Sequence, residues 1–491
     1  MESERRWGFE RMSRQLLAKL LMGMVLFVAA PGCSGTQLAD DRDALFSQAV
    51  EASLEDDSKL AARAAHQYIR TGTADDSRYD RAGRLLADNF RELELSYAAS
   101  LWYHEIASAR RDVELVEDAI LGLASIIEQY PHDRWTLIDG FLATSEISRL
   151  DEEASAFVDY YQGLHSLRQG EPEWAAEYFG RIPDRHPYQA RARYVLAVER
   201  IADYQLRDAE EALEAILEDF EGILPEDVQV DVQRSLARIA FEEQRFDDAL
   251  ERYEQIRATA PDDPQLLLEM AWTEYYLNNH RRSLGLLLAL DAPAYDELIA
   301  PERFLLEAFN LQRLCQFEPA RTAAMRLGAR YGAAIEDLRT GIALKDSESL
   351  RAAARLRETS RPVAEYRARL QLERRLVENY ASDLGENLTD YLLDLYDRGL
   401  QEADRRETEL LATEMEALAS ELLEADEGVR LILHEISVAL LRGRDRVEGG
   451  APSAVFDVPR SGDQVYFRFS GEFWTDEIDD LIVPLEDRCI D

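Results

Sequence analysis

Cysteine, histidine and lysine are scarce in this 491-residue sequence, and each scarcity argues against a class of protein. The three cysteines include no C-x-x-C spacing, which excludes zinc ribbons and thioredoxin-type redox motifs. His104 and His434 each precede a glutamate but lack a second histidine four residues on, so we expect no zincin-type metal site. Only three basic residues are lysines, and the net charge is −41. Because nucleic-acid binding depends on clustered basic side chains, we expect no nucleic-acid partner.

Catalytic signatures are also missing. The sequence has no G-x-x-x-x-G-K-[ST], no G-x-G-x-x-G after a strand and no G-x-S-x-G. Carboxylates are so abundant that pairs of them arise by chance and do not indicate a glycosidase. We therefore expect no enzyme, no cofactor and no metal. One alternative stays open: an enzyme in the last 150 or so residues, which a deep polar pocket with converging titratable groups would favour.

The beginning of the chain has the order of an export signal. Arg14 and Lys19 precede an 11-residue apolar run at 20–30, and small residues follow it. The run is too short to span a bilayer, which needs about 20 residues. Because the acidic residues before Met12 are unusual in a signal, we expect translation to begin at Met12. The pattern predicts a signal peptide over residues 1–32.

Ala30-Pro31-Gly32-Cys33 resembles the lipobox of bacterial lipoproteins, in which the cysteine becomes the acylated N-terminus. The resemblance implies lipidation at Cys33; the alternative is an ordinary signal with a chance cysteine. Ser34 stands where inner-membrane retention signals carry Asp, which implies an outer-membrane lipoprotein facing the periplasm. The 32 residues before Cys33 hold five basic and three acidic residues, so the remainder has a net charge of −43. We expect the lipid to be its only membrane contact, because anionic surfaces repel such a body.

A 34-residue frame recurs six times between residues 100 and 334. In its clearest unit, 230–263, small residues at positions 8 and 20 allow two antiparallel helices to approach closely, and large apolar residues at positions 7, 17, 24 and 27 fill the gap. A proline at position 32 ends the second helix. The other units are 100–133, 156–189, 190–223, 264–297 and 301–334.

This frame resembles the tetratricopeptide repeat (TPR) family, and it predicts an all-α, TPR-like helical-hairpin solenoid over residues 100–334. The alternative is a non-repetitive helical bundle with alanine-rich interfaces. Residues 33–99 are expected to form a linker and degenerate opening hairpins. Residues 335–448 are expected to form a C-terminal segment of two to four longer helices, of the kind that caps a solenoid. The tail, 449–491, contains two short strand-like stretches, 465–469 and 480–484.

A closer resemblance covers roughly the last 260 residues. It is to TPR lipoproteins of myxobacteria and related bacteria, and it implies no defined activity. The residues that carry it are Trp272-Thr273-Glu274-Tyr275-Tyr276, Leu284-Gly285-Leu286-Leu287-Leu288, Asp291-Ala292-Pro293, Leu314-Cys315-Gln316-Phe317, Gly471-Glu472-Phe473-Trp474 and Arg488-Cys489.

The candidate binding site is the groove of the array. First-helix positions 2, 5, 9, 12 and 13 point away from the paired second helix, and here they carry many aromatic and arginine side chains, the types enriched at binding hot spots. An arginine-lined groove would be an electrostatic exception on so acidic a body. The alternative is that Trp272 and its neighbouring tyrosines pack against the next repeat. The candidates are Arg191, Tyr194, Arg234, Arg238, Phe241, Trp272, Tyr275, Tyr276, Phe309 and Arg313.

These observations favour a membrane-tethered periplasmic scaffold that holds an extended peptide or helix of a protein partner in a cell-envelope assembly. The rival hypothesis is a structural spacer of an envelope or motility machine with an empty groove. If Cys33 is acylated, Cys315 and Cys489 remain as a pair, and an oxidising compartment would allow them to form a disulfide. Otherwise Cys315 is a small buried residue and Cys489 a free thiol.

Overall fold

The computed structural model describes residues 35–145, 147, 150–259, 263–443 and 482–489. Eighteen α-helices, one π-helical segment (Trp135–Leu142) and short 3₁₀ turns make up its ordered elements, which confirms the all-α fold class. The α-helices are α1 Gly35–Leu54, α2 Ser58–Thr71, α3 Tyr79–Glu92, α4 Ser96–Ala109, α5 Glu114–Gln129, α6 Glu152–Arg168, α7 Pro172–Phe179, α8 Pro187–Ala202, α9 Leu206–Asp219, α10 Glu226–Glu242, α11 Phe246–Thr259, α12 Pro264–Tyr276, α13 His280–Ala289, α14 Glu302–Arg313, α15 Phe317–Thr340, α16 Glu348–Arg355, α17 Arg361–Leu384 and α18 Glu386–Gly443.

Successive helices pair as hairpins, and the small residues of the repeat frame lie where the two helices of a hairpin meet. In the α10–α11 hairpin, Ala237 at position 8 and Ala249 at position 20 are fully buried. In the α6–α7 hairpin, position 8 is Gly163, and a β-carbon there would overlap the ring of Phe179 at position 24. Close approach of the two backbones therefore depends on residues without bulk at these positions.

Position 15 of the frame has a constant backbone conformation. In five of the six units this residue adopts a left-handed conformation with φ between 51° and 75°. It lies between the first and second helices of the hairpin, where a left-handed residue reverses the chain. Glycine fills this position only once, so side-chain residues adopt the conformation in the other four units. The five residues are Gly170, Tyr204, Gln244, Asn278 and Cys315.

Helices α17 and α18 form an antiparallel hairpin that joins the two ends of the array. Gly385, with a positive φ of 76°, is the single residue between them. Helix α18 has 58 residues and is therefore about 87 Å long. Its first part lies with α17 against α2 and α4, and its later part lies against α14, α15 and α16. We call this hairpin the brace. The segment thus does more than cap the array, because it also reaches the opening helices.

The contact between the brace and the opening helices centres on the buried carboxylate of Glu373 in α17. It accepts hydrogen bonds from the Ser96 hydroxyl, from the Tyr97 backbone N–H (3.0 Å) and from the Tyr396 hydroxyl (2.7 Å). Arg369 pairs with it at 2.6 Å. Burial raises the pKa of Glu373, and these donors and the guanidinium oppose that rise. One side chain therefore connects residues that are about 277 positions apart in the sequence.

Aromatic and polar contacts extend this junction along the brace. The ring of His66 in α2 packs at a tilt against that of Tyr391 in α18, with ring centroids 5.0 Å apart. Tyr97 lies so close to α18 that a β-carbon at Gly399 would be 2.9 Å from its ring. Further along α18, the guanidinium of Arg406 lies 5.1 Å from the ring of Trp135 in the π-helical segment. The junction therefore involves packing as well as the carboxylate.

The tail differs from the sequence-based expectation. Residues 482–489 form no strand, and two of their backbone N–H groups bond to carbonyls of helical hairpins instead of to a second strand. Val483 donates to the carbonyl of Arg281 (3.2 Å), and Arg488 donates to that of Leu314 (3.1 Å). Pro484 has no N–H to contribute to a ladder. The stretch 465–469 lies outside the described residues. No helix among the described residues is both long and apolar enough to cross a membrane.

We predict that Glu373→Gln destabilises the protein by about 2 to 4 kcal/mol, because the half-buried Arg369 loses its ionic partner and donors that now point at the carboxylate meet an amide. Glu378→Gln on the same helix is the matched control. Glu378 is exposed and, within the described part of the chain, pairs with Arg374 alone, so its loss should cost less than about 1 kcal/mol. Urea unfolding of both variants measures the difference. Equal midpoints for the two would contradict the role given to Glu373.

Candidate functional site

Six aromatic side chains form a continuous surface across three neighbouring hairpins. The ring of Tyr276 stacks on Phe246 with centroids 5.0 Å apart, and Phe241 lies edge-on to both. Trp272 contacts Tyr276 at 6.2 Å and Tyr275 at 6.0 Å. We call this set the aromatic surface. Its members are Phe241, Phe246, Trp272, Tyr275, Tyr276 and Phe309.

The aromatic surface both joins repeats and faces solvent. Tyr275 lies 6.3 Å from Phe309 of the next hairpin, so its ring packs between repeats. Tyr276 contacts the preceding hairpin, yet 48% of its surface remains exposed. Arg313 is exposed at the edge of this surface and donates a hydrogen bond to the Tyr275 hydroxyl (3.4 Å). Packing fixes these rings while leaving part of them available, which is the condition of a rigid aromatic anchor.

The predicted groove arginines have a different role. Arg191 of α8 pairs with Asp227, Arg234 of α10 pairs with Asp263, and Arg238 pairs with Glu269 at 2.5 Å. Each acidic partner belongs to the first helix of the next hairpin or caps that helix. The expected unmatched positive charge is therefore absent at these three positions, because the charges are used between repeats.

Tyr194 also bridges neighbouring first helices. Its hydroxyl lies 3.3 Å from that of Ser235, on the first helix of the next hairpin. The ten predicted groove residues therefore divide into two sets. Tyr194 and the three paired arginines link successive first helices, whereas the aromatic residues and Arg313 form one partly exposed surface.

Sequence reasoning missed two residues of this region, Phe246 and His280. Both occupy position 17, the first residue of a second helix, and the repeat frame predicts that this position fills the gap inside a hairpin. Phe246 instead stacks on Tyr276, and His280 lies 5.5 Å from the Tyr275 ring. Their signal was present in the frame, because position 17 is next to the turn and so next to the end of the first helix, where Tyr275 and Tyr276 lie.

The brace covers the groove-lining helix of the last framed unit. A β-carbon at Gly428 of α18 would be 3.1 Å from Leu305, which is at groove position 5 of that unit. Gln312, at position 12, donates to Glu435 of α18 (2.9 Å). Part of the inner face is therefore already occupied by a helix of the same chain.

The docked tail runs past the edge of the aromatic surface. Its Val483 and Leu485 pack on the apolar core of the last hairpins, and Gln316 donates to the carbonyl of Glu486 (2.7 Å). Here the structure joins Cys315 and Cys489 in a disulfide with a Cα–Cα distance of 5.1 Å. Cys315 is the left-handed residue at position 15 of its unit. Cys33, the predicted lipidation site, lies outside the described residues.

The helical hairpins of the array follow a 34-residue frame that is similar to that of tetratricopeptide repeats. No family model matches the sequence, and no curated protein matches it. Among solved structures, PilF of Pseudomonas aeruginosa is similar at 13% identity and a TM-score of 0.30, over 51% of this chain and 97% of that one. A tetratricopeptide repeat protein from Parabacteroides merdae is similar at 12% identity and a TM-score of 0.26, over 59% of this chain and 93% of that one. Neither similarity bears on function.

We predict that Cys315 and Cys489 do not react with alkylating agents in protein purified under oxidising conditions. A Cys33→Ser variant leaves these two as the only cysteines, so intact mass gives a direct thiol count. Iodoacetamide should add no mass before reduction and two carbamidomethyl groups after it. Two groups added without reductant would show that the disulfide is absent.

Proposed function

We propose that this protein is a lipid-tethered scaffold of the bacterial cell envelope, which holds a segment of a partner protein against the aromatic surface. The observation that carries the proposal is the partial exposure of Tyr276 within rings fixed by their neighbours. Rigid aromatic groups lose little conformational freedom on binding, so they provide contact area at low entropic cost. Tetratricopeptide-type arrays in general support protein interaction, and the partner here would be an extended peptide or a helix.

The tether is the second part of the proposal. It rests on the lipobox-like Ala30-Pro31-Gly32-Cys33 and on the acidic body, which has little attraction of its own for anionic lipid. We place the protein at the periplasmic face of the outer membrane, in an envelope assembly. The disulfide between Cys315 and Cys489 supports an oxidising compartment.

The brace favours one alternative, a structural spacer. A hairpin that connects both ends of an array limits its bending, which suits a subunit whose task is to keep other components at a fixed distance. A spacer needs no partner on the aromatic surface. Substitution of that surface should therefore release a partner from a scaffold but have no such effect on a spacer.

We predict that Tyr276→Ala combined with Arg313→Glu abolishes co-purification of a partner that wild-type protein retains from detergent-solubilised membranes. Tyr204→Ala combined with Arg207→Glu is the matched control, because Tyr204 is 89% exposed on a different hairpin and Arg207 is also exposed. Quantitative mass spectrometry compares the proteins captured by each form. If no captured protein depends on Tyr276 and Arg313, the spacer function is favoured and the aromatic surface is not a binding site.

The tether has a separate test. We predict that Cys33→Ser moves the protein from the membrane fraction to the soluble periplasmic fraction, because the lipid would be its only membrane contact. Fractionation followed by immunoblotting measures the distribution. Continued association with membranes after this substitution would contradict the tether without affecting the aromatic surface.

A further inference from the structure

A groove of about 1540 Å³ lies between the array and the C-terminal helices. One wall is the beginning of α12 together with residues 294–302, which lead into α14. The other wall is residues 355–361, which lead into α17, together with one turn of α18 at 421–425. No residue of the aromatic surface lines it, so the groove is a separate feature of the same hairpins.

Both walls of the groove carry apolar side chains. Leu298 and Ile299 lie in the segment before α14, and Leu356 lies in the segment before α17. Leu356 is 40% exposed, although leucine at a helix end commonly packs inside. Ala364 and Ala425 add to the apolar lining. A partner could therefore bury apolar side chains here.

The arginines that line the groove are largely paired within the chain. Arg238 is engaged by Glu269 of α12. Arg355 pairs with Glu407 at 3.0 Å, and Arg357 pairs with both Glu414 and Glu421 at 2.8 Å. These guanidinium groups are therefore not available to attract an acidic partner.

The remaining lining charge is mostly negative. Glu297, Glu302, Glu358 and Glu424 all line the groove, and within the described part of the chain none has an arginine or lysine at ion-pair distance. Arg361 is the one lining arginine in the same situation. Burial and the carboxylates of Glu421 and Glu269 raise the pKa of Glu302, as expected of an acid that faces other acids. The four unpaired glutamates and the one unpaired arginine therefore give the groove an unmatched net charge of −3.

We propose that this groove binds a segment of a partner protein that carries arginine or lysine side chains beside apolar ones. Apolar residues of the segment cover the apolar side chains of the groove, and its cations neutralise the carboxylates that have no ion-pair partner in the described part of the chain. A single metal ion does not fit this arrangement, because no three acidic, histidine or cysteine side chains of the described residues converge to hold one. Several separate cations on one chain match carboxylates that come from the segment before α14, from α14, from the segment before α17 and from α18.

Binding of a designed peptide to the purified full chain tests the proposal. The probe is a fluorescein-labelled peptide of about 16 residues with leucines on one helical face and arginines on the other. Fluorescence anisotropy measures its binding at roughly 0.15 M salt, where long-range electrostatic attraction is screened. The same peptide with glutamates in place of arginines is the second probe. We expect one-site binding of the arginine peptide and none of the glutamate peptide.

Substitutions distinguish binding in the groove from attraction to the net negative charge of the whole protein. Glu302→Gln combined with Glu424→Gln should raise the Kd of the arginine peptide by about fivefold or more. Glu173→Gln combined with Glu221→Gln removes the same charge from two exposed acids outside the groove and should change the Kd less than about twofold. Leu356→Ser should weaken binding as well, because it removes an apolar side chain from the lining of the groove.

Three results would overturn the proposal. They are a failure of the arginine peptide to bind, equal weakening by both double variants, and no weakening by the groove variant. Equal weakening would mean that the peptide responds only to net charge. Because none of these variants touches the aromatic surface, the outcome is independent of the capture experiment with Tyr276→Ala and Arg313→Glu.

Discussion

The structure depends on one buried carboxylate that joins the beginning of the array to its C-terminal helices. A solenoid of hairpins leaves an apolar surface at each end, because every repeat buries its face only against its neighbours. Glu373 lies where the brace meets the opening helices, and it is stable there because three donors and Arg369 replace the water that it loses. A buried charge requires this particular arrangement of donors, so it specifies how the brace docks more narrowly than apolar packing alone would.

The brace also decides which parts of the inner face remain open. Helix α18 lies along α14 and contacts it through Leu305 and Gln312, where an array without a brace would offer positions for a ligand. What remains is the aromatic surface at the C-terminal ends of the first helices and the acidic groove near their beginnings. The arginines between successive first helices form ion pairs with acids of the next hairpin. These pairs connect the repeats, and they leave little unmatched positive charge in the groove.

The repeat frame could be read from the sequence because it depends on local spacing. Ala237, Ala249 and Gly163 lie where the frame places small residues, and their contacts are with the partner helix of the same hairpin. The brace could not be read in this way. In the sequence Glu373 is one of many glutamates on a charged helix, and nothing local indicates that Ser96 and Tyr97 approach it. The groove arginines are a second example. The sequence shows that arginines occupy these positions, but it does not show which acids of the next hairpin pair with them.

The aromatic surface and the acidic groove differ in chemistry but share α10, α12 and α14 as supports. Arg238 borders the groove and Phe241 belongs to the aromatic surface, although they are less than one helical turn apart on α10. The two surfaces therefore begin within one turn of each other on the same helix. Two segments of one partner could occupy both, and the second would then bind at the high effective concentration set by the first. The ion pairs between repeats keep the spacing of these helices constant, so such a partner would meet both surfaces in a fixed relation.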